Sequence, residues 1–329
     1  MADSVSPFAI RFYQAGGPEV LTSEPIAVGE PASGQVRLRH EAVGLNFIDT
    51  YFRTGLYPVE LPTGLGNEAA GVVEAVGSGV ANIQPGDRVG YFSGPVGAYA
   101  SHRLVEADRL VKLPEGISGE QAAATMLKGC TAEYLIERCA CVEAGMTVLV
   151  HAAAGGVGSI AVQWLKAIGA RVIAHSGSAT KANLASELGA DVSLVCPMDD
   201  LAAKVREATD GNGVPVVLDG VGAASWEASL AAVARRGLVV SYGNASGPVP
   251  PFTPLDLMRR GSIFVTRPTL SDYCATAAEM RASASRLFDM MLSAKVEVRI
   301  GARYPLAQAA EAHRALEARE TTGSTVLIP

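Results

Sequence analysis

The stretch Thr147-Val-Leu-Val-His-Ala-Ala-Ala-Gly-Gly-Val-Gly158, continuing as Ser159-Ile-Ala-Val-Gln-Trp-Leu-Lys-Ala-Ile-Gly169, decides the fold. It reads as a buried parallel strand, a turn of tiny residues and an amphipathic helix stopped by a glycine. Such a unit brings a pyrophosphate against backbone N–H groups at a helix N-terminus. The helix face is Val157, Ile160, Ala161, Trp164, Leu165 and Ile168, spaced three or four apart for packing on a sheet. Against the pattern G-x-G-x-x-G, Ala153 takes the first glycine position, and Gly155 and Gly158 match the second and third. Ala154, Gly155, Gly156, Val157 and Gly158 are therefore the expected pyrophosphate-binding turn. The glycines also divide the apolar run into a strand and a short helix, each too short to cross about 30 Å of hydrocarbon.

The rhythm repeats downstream. Arg171–His175, Val192–Val195, Val214–Asp219, Leu238–Tyr242 and Ser262–Thr266 read as strands. Helices fall between them at Ala179–Leu188, from a cap at Asp199 to Ala208, and around Trp226–Ala234, with Arg235 and Arg236 expected at the last helix's C-terminus. Strands alternating with helices predict an α/β, doubly wound parallel sheet. Its ligand crevice lies beyond the carboxyl ends of the strands, where Gly155, Ser176, Asp219 and Asn244 all fall.

The end of the second strand selects the cofactor. An NAD site usually has a carboxylate there for the ribose 2′-hydroxyl. This chain has His175-Ser-Gly-Ser178 and then Lys181. Without a carboxylate a 2′-phosphate meets no repulsion, serine hydroxyls donate to it, and the ammonium supplies opposite charge. The expected cofactor is NADPH, held by Ser176, Gly177 and Lys181.

Outside this region the chain changes character. Short β-rich runs such as Gln35–Arg39 and Gly71–Val76, and the turn Pro85-Gly-Asp-Arg-Val89, predict a mostly β domain before the nucleotide domain. After Pro268 come a long Ala-, Met- and Leu-rich helix, a strand near Val298–Ile300, a helix over Ala307–Glu317 and a final strand at Ser324–Ile328.

With Asn46-Phe-Ile-Asp-Thr-Tyr51, Gly64-Leu-Gly-Asn-Glu-Ala-Ala-Gly71, Pro85–Val89, Leu127-Lys-Gly-Cys-Thr131, His151–Gly158, Tyr242-Gly-Asn244 and Val265-Thr-Arg-Pro268 in this order, the whole chain resembles the zinc-independent quinone oxidoreductase branch (zeta-crystallin-like) of the medium-chain dehydrogenase/reductase superfamily. The resemblance implies a Rossmann domain inserted in a GroES-like β-barrel catalytic domain. Its expected spans are 1–128 for the first catalytic part, 129–266 for the nucleotide domain and 267–329 for the C-terminal return. It also implies a homodimer, and a family cleft lined by the segments bearing Asn46, Tyr51 and Tyr57, with Thr131 near the nicotinamide. By the same resemblance Asn244 and the backbone after Val265 face the ribose and nicotinamide, and Arg319 matches an arginine that helps hold the adenosine phosphate. The family's tyrosine after the third Rossmann strand is replaced here by Cys196.

Zinc-using members of the superfamily place Cys three residues before Asp, and a His-Glu pair. The positions here are Asn46 before Asp49, and Asn67 before Glu68. Asparagine is a poor zinc ligand beside thiolate or imidazole, so no metal is expected. The five cysteines, Cys130, Cys139, Cys141, Cys196 and Cys274, include no C-x-x-C clamp. That directs the chemistry toward acceptors that tolerate charge. Hydride delivery to an aldehyde makes an alkoxide, approaching hydroxide in basicity (the pKa of water is about 15.7). Delivery to a quinone leaves a phenolate, whose parent acid resembles tyrosine at about 10. Hydrogen-bond donors then suffice, and Asn46, Tyr51, Tyr57 and Thr131 are the candidates.

The expected activity is NADPH:quinone reduction. The rivals are reduction of an enone or alkenal double bond and, from another class, a nucleotide-binding protein with an RNA-binding or structural role. A net charge of −6 and a pI near 5.5 offer no footprint for nucleic acid or anionic membrane. No secretory signal is visible, which points to the cytoplasm. Pro248–Pro254 reads as a linker in preference to a rigid loop over the cofactor cleft.

Overall fold

A computed structural model describes residues 6–329. Contacts divide the chain into two units: one runs up to Lys128 and adds Cys274–Phe288 and Val298–Pro329; the other is Gly129–Tyr273 with Asp289–Glu297. The return to the first unit thus starts at Cys274, where the sequence places it at 267, and the segment Asp289–Glu297 of that return stays with the second unit.

The second unit is built on a six-stranded parallel sheet. Its strands are Thr147–His151, Arg171–His175, Val192–Leu194, Val214–Asp219, Val233–Ser241 and Phe264–Thr266. Numbered by appearance within this sheet, they lie in the order 3-2-1-4-5-6. The reversal between the first and fourth strands creates the crevice that such sheets use for dinucleotides. Leu149, Val217 and Val239 from central strands, with Trp226 and Leu201 from helices, are buried in its core.

Three local expectations change. The helix at Met198–Glu207 is capped by Pro197, and Asp199 sits inside its first turn. Arg235 and Arg236 end no helix. The helix Trp226–Ala232 closes earlier, and both arginines lie in the strand Val233–Ser241, Arg236 with φ of 60°. Pro248–Pro254 is more than a linker, because Phe252 packs on Trp226 with ring centroids 5.0 Å apart and Pro254 opens the helix Pro254–Arg259.

The first unit is β-rich. In one sheet, Ile300–Pro305, Ser324–Ile328, Gln35–Leu45, Ala69–Val76, Arg88–Tyr91 and Val111–Lys112 lie side by side, and His102–Glu106 also pairs with Gln35–Leu45. A smaller sheet joins Thr22–Pro25, Phe8–Phe12 and Thr63–Gly64. Leu306, Ala309, Ala312 and Leu327 share one core with Leu38, Val43, Leu65 and Val89, so residues after 300 complete the interior of this unit. Alternation along Gln35–Leu45 puts Val36, Leu38, His40 and Ala42 inside, as a half-buried strand requires, and from Ala42 to Leu45 the strand is buried on both faces.

Candidate active site

The turn after the strand Thr147–His151 is tighter than its alanines suggest. Ala152 takes a positive φ of 49°, a conformation usually left to glycine. The helix Gly156–Ala167 begins immediately after Gly155. The N–H groups of Gly156, Val157 and Gly158 lie in its first turn, where no intrahelical acceptor exists. A Cβ on Gly158 would strike the Ala152 carbonyl oxygen and come within 2.9 Å of Ala153 Cα, so only glycine lets helix and turn approach this closely. Of the predicted helix face, Ile160, Ala161, Trp164 and Leu165 are buried, whereas Val157 and Ile168 are half-buried.

Beneath this turn lies a polar cluster that the sequence did not reveal. Asp219, wholly buried at a strand end, accepts from the N–H groups of Val221 (2.9 Å) and Gly222 (3.3 Å) and from Ser229 Oγ (2.6 Å). Ser225 Oγ lies 2.7 Å from both its oxygens. Ser229 Oγ is also 2.9 Å from His151 Nε2. Burial holds the His151 imidazole below its usual range, and the neighbouring Asp219 opposes that shift. The His151 and His175 rings meet edge to face at 5.6 Å, and His175 Nε2 lies 3.1 Å from the Cys196 carbonyl. Thus the ends of three strands and the loop after a fourth are tied together below the turn at Ala152–Gly155. The available signal was Asp219 at a strand end followed by two glycines.

The predicted cofactor residues fit a 2′-phosphorylated dinucleotide. Ser176 Oγ is buried and has no hydrogen-bond partner within the protein, and a buried donor without a partner costs about 1–3 kcal/mol. Gly177 is exposed, and an added Cβ there would meet nothing. Lys181 is half-buried in the first turn of the helix Ala179–Glu187, its N–H received by the Ser178 cap at 3.4 Å. Asn244 and Val265 are half-buried, Val265 on a strand of the same sheet. Arg319 belongs to the other unit, with φ of 59° just after the helix Ala309–Glu317.

In the first unit, Asn46 caps the short helix Phe47–Arg53 through a capping box with Asp49. Its Nδ2 donates to Glu68 Oε2 at 2.8 Å and, more weakly, to the Gly44 carbonyl at 3.4 Å. Both amide hydrogens thus have acceptors within the protein. Glu68 has no exposed surface. It accepts from Leu127 N–H at 2.6 Å and faces the buried Lys128 ammonium at 3.4 Å. A Cβ on Gly44 would overlap its carboxylate. Burial raises the Glu68 pKa, against the pull of Lys128.

Asp49 is also wholly buried, and burial pushes its pKa up to about 7 despite the Asn46 N–H bond. Oδ2 accepts from Asn46 N–H (2.9 Å) and Tyr99 Oη (3.0 Å), while Oδ1 has no partner. Tyr99 Oη lies 3.0 Å from His313 Nε2, and Arg53 donates to His313 Nδ1 at 2.9 Å. A guanidinium can only donate, so His313 is protonated on Nε2 and the donors all run from Arg53 toward Asp49. Arg53 ends on Glu317 at 2.6 Å.

Tyr51 is buried on the same helix. Its ring meets Tyr57 edge to face at 5.2 Å, and Tyr57, half-buried, also contacts Phe52 at 5.8 Å. Tyr51 and Tyr57 thus meet each other, and Tyr51 lies on the helix that Asn46 caps. Thr131 is buried in the helix Gly119–Glu133, one turn after Lys128. Among the described residues, no three His, Cys, Asp or Glu side chains gather to hold a metal.

Two family models match: the alcohol dehydrogenase GroES-like domain over residues 32–115 and the zinc-binding dehydrogenase domain over 156–287. A quinone oxidoreductase of Pseudomonas aeruginosa is 50% identical over 97% of this chain and 99% of its own. The chain belongs to the zinc-independent quinone oxidoreductase branch of the medium-chain dehydrogenase/reductase superfamily. The solved Escherichia coli quinone oxidoreductase complexed with NADPH superposes with a TM-score of 0.95 at 45% identity, covering 98% of this chain and 100% of that one. A 2-haloacrylate reductase from a Burkholderia species is 41% identical over 98% of both chains. No helix among the described residues is long and apolar enough to cross a membrane.

Proposed function

We propose that the protein is an NADPH-dependent quinone oxidoreductase that needs no zinc. The observation that carries this reading is the full-length likeness to quinone oxidoreductases, 50% identical in one case and 45% in another solved with NADPH. The partnerless Ser176 hydroxyl and the Gly158 contact support it from the geometry.

Bound NADPH supplies a hydride. Ala154, Gly155, Gly156, Val157 and Gly158 hold the pyrophosphate through backbone N–H groups and the positive end of the helix. Ser176, Gly177 and Lys181 would hold the 2′-phosphate, and Asn244, Val265 and Thr131 would position the ribose and nicotinamide. Tyr51 and Tyr57 supply an aromatic face and hydroxyl donors for the quinone oxygen. Asn46 shapes this site from behind. One hydride and one proton convert quinone to hydroquinone, and the proton comes from water.

Assembly as a homodimer in the cytoplasm belongs to the same proposal. Phe264, 62% exposed on the edge strand of the six-stranded sheet, with exposed Leu255 and Met258 on the preceding helix, supports an interface with a second copy. A second reading, reduction of an activated carbon–carbon double bond, is favoured by the likeness to the 2-haloacrylate reductase.

The test follows NADPH absorbance with quinones, enones, 2-haloacrylates and aldehydes, with and without a chelator. Quinone turnover indifferent to chelation is expected. Turnover of activated alkenes alone would favour the second reading, and loss on chelation with recovery on adding a divalent ion would overturn the first.

A further inference from the structure

Three buried ionisable side chains surround Asn46, and the reaction as proposed uses none of them. Glu68 and Asp49 have no exposed surface, and Lys128 has 5%. Each carboxylate takes a different part of Asn46: Glu68 Oε2 receives the side-chain amide and Asp49 Oδ2 receives the backbone N–H. Asn46 in turn caps the helix on which Tyr51 sits. Among the described residues, the cation facing Glu68 is Lys128, at 3.4 Å, with Asp49 as the other charged neighbour of the cluster.

We propose that Lys128 is a positioning residue for quinone reduction: its ammonium keeps Glu68 a carboxylate, and that carboxylate fixes the Asn46 carboxamide and, through it, the start of the helix carrying Tyr51. The proposal rests on the quinone reductase reading. The physical reason is that a buried carboxylate without a counter-charge takes up a proton. Protonated Glu68 would offer a donor toward the Asn46 amide hydrogens, so the carboxamide would have to turn over. Gly44 makes the arrangement specific, since any side chain there would occupy the space of the Glu68 carboxylate.

The experiment compares wild type with Lys128→Met, Lys128→Arg and the double variant Lys128→Met/Glu68→Gln, measuring kcat, KM for quinone, NADPH Kd by fluorescence and the pH profile of kcat. Wild-type quinone turnover is the control. Its absence would sink the quinone reductase reading, and its presence leaves any failure below to this inference alone. Lys128→Met should lower kcat at least tenfold with NADPH Kd within twofold. It should add a new limb in which kcat rises with pH as Glu68 ionises. Lys128→Arg should recover most of the activity. The double variant removes both charges, and its carboxamide oxygen still accepts from Asn46 while its NH2 meets the Leu127 N–H that Glu68 Oε1 received, so it should regain part of the lost activity and lose the new limb. It also decides the matter if Lys128→Met fails to fold, because the buried pair is then absent as a whole. A double variant as poor as Lys128→Met would overturn the proposal, since direct proton donation by Lys128 predicts that result. So would a folded Lys128→Met with wild-type kcat and pH profile.

Discussion

Asp219 and Asp49 are both carboxylates without exposed surface, one in each unit, and they are served very differently. Asp219 receives two backbone N–H groups and two serine hydroxyls, and each of its oxygens accepts. Asp49 receives two donors on Oδ2 and none on Oδ1, and burial lifts its pKa to about 7. Equal burial thus gives two kinds of group. One ties strand ends into a floor under the Ala152–Gly155 turn; the other holds a proton that is exchanged near neutrality.

The contrast breaks most visibly at Asp219. Asp219→Ala strands two hydroxyls and two N–H groups in the core, and calorimetry should show about 3–5 kcal/mol lost. A loss below about 1 kcal/mol would mean the cluster is not the floor. Asp49 has the opposite signature. Its folded pKa is raised above the unfolded value of 3.8, so its contribution is fully present below about pH 4 and is lost as pH rises through 7. Each pH unit is worth about 1.4 kcal/mol. Wild type should therefore weaken relative to Asp49→Asn by about 2–4 kcal/mol between pH 4 and 7 in denaturant titrations. A difference independent of pH would remove the distinction.

The smaller effects concern the cofactor. Gly158→Ala forces the Ala152 turn outward and should weaken NADPH binding by about ten- to a hundredfold, or about 1.4–2.8 kcal/mol. Thermal stability should change less than affinity. Lys181→Ala should weaken NADPH by about fivefold and leave NADH nearly unchanged, as paired titrations would show. Equal losses for both nucleotides would reject its assignment to the 2′-phosphate.

The nucleotide unit was largely legible because its signals are local. Glycine spacing, strand runs and helix stops follow one another closely along the chain, and they recovered the sheet. What was misread there is also local physics. Ala152 takes a left-handed conformation with no glycine to announce it, and Arg235-Arg236 looked like a helix end although the strand had already begun. The first unit hid more, because its polar chain joins Asp49 to Tyr99, Tyr99 to His313, and Arg53 to both His313 and Glu317. Those partners are 50 to 264 residues apart, and only the folded sheet brings them together. Lys128 stood inside a recognised motif, yet nothing in the sequence showed that it faces Glu68.

The placement of Ser324–Ile328 beside Gln35–Leu45 has a consequence for how the chain is born. A ribosome releases residues 129–273 as a nearly finished folding unit while the barrel's first half still lacks a neighbour for that strand edge. Val43–Leu45 must wait, unsealed, for a stretch translated long afterwards, while Gln35–Arg39 already pair with His102–Glu106. Nascent-chain arrest should find a protease-resistant nucleotide fold well before the barrel resists cleavage.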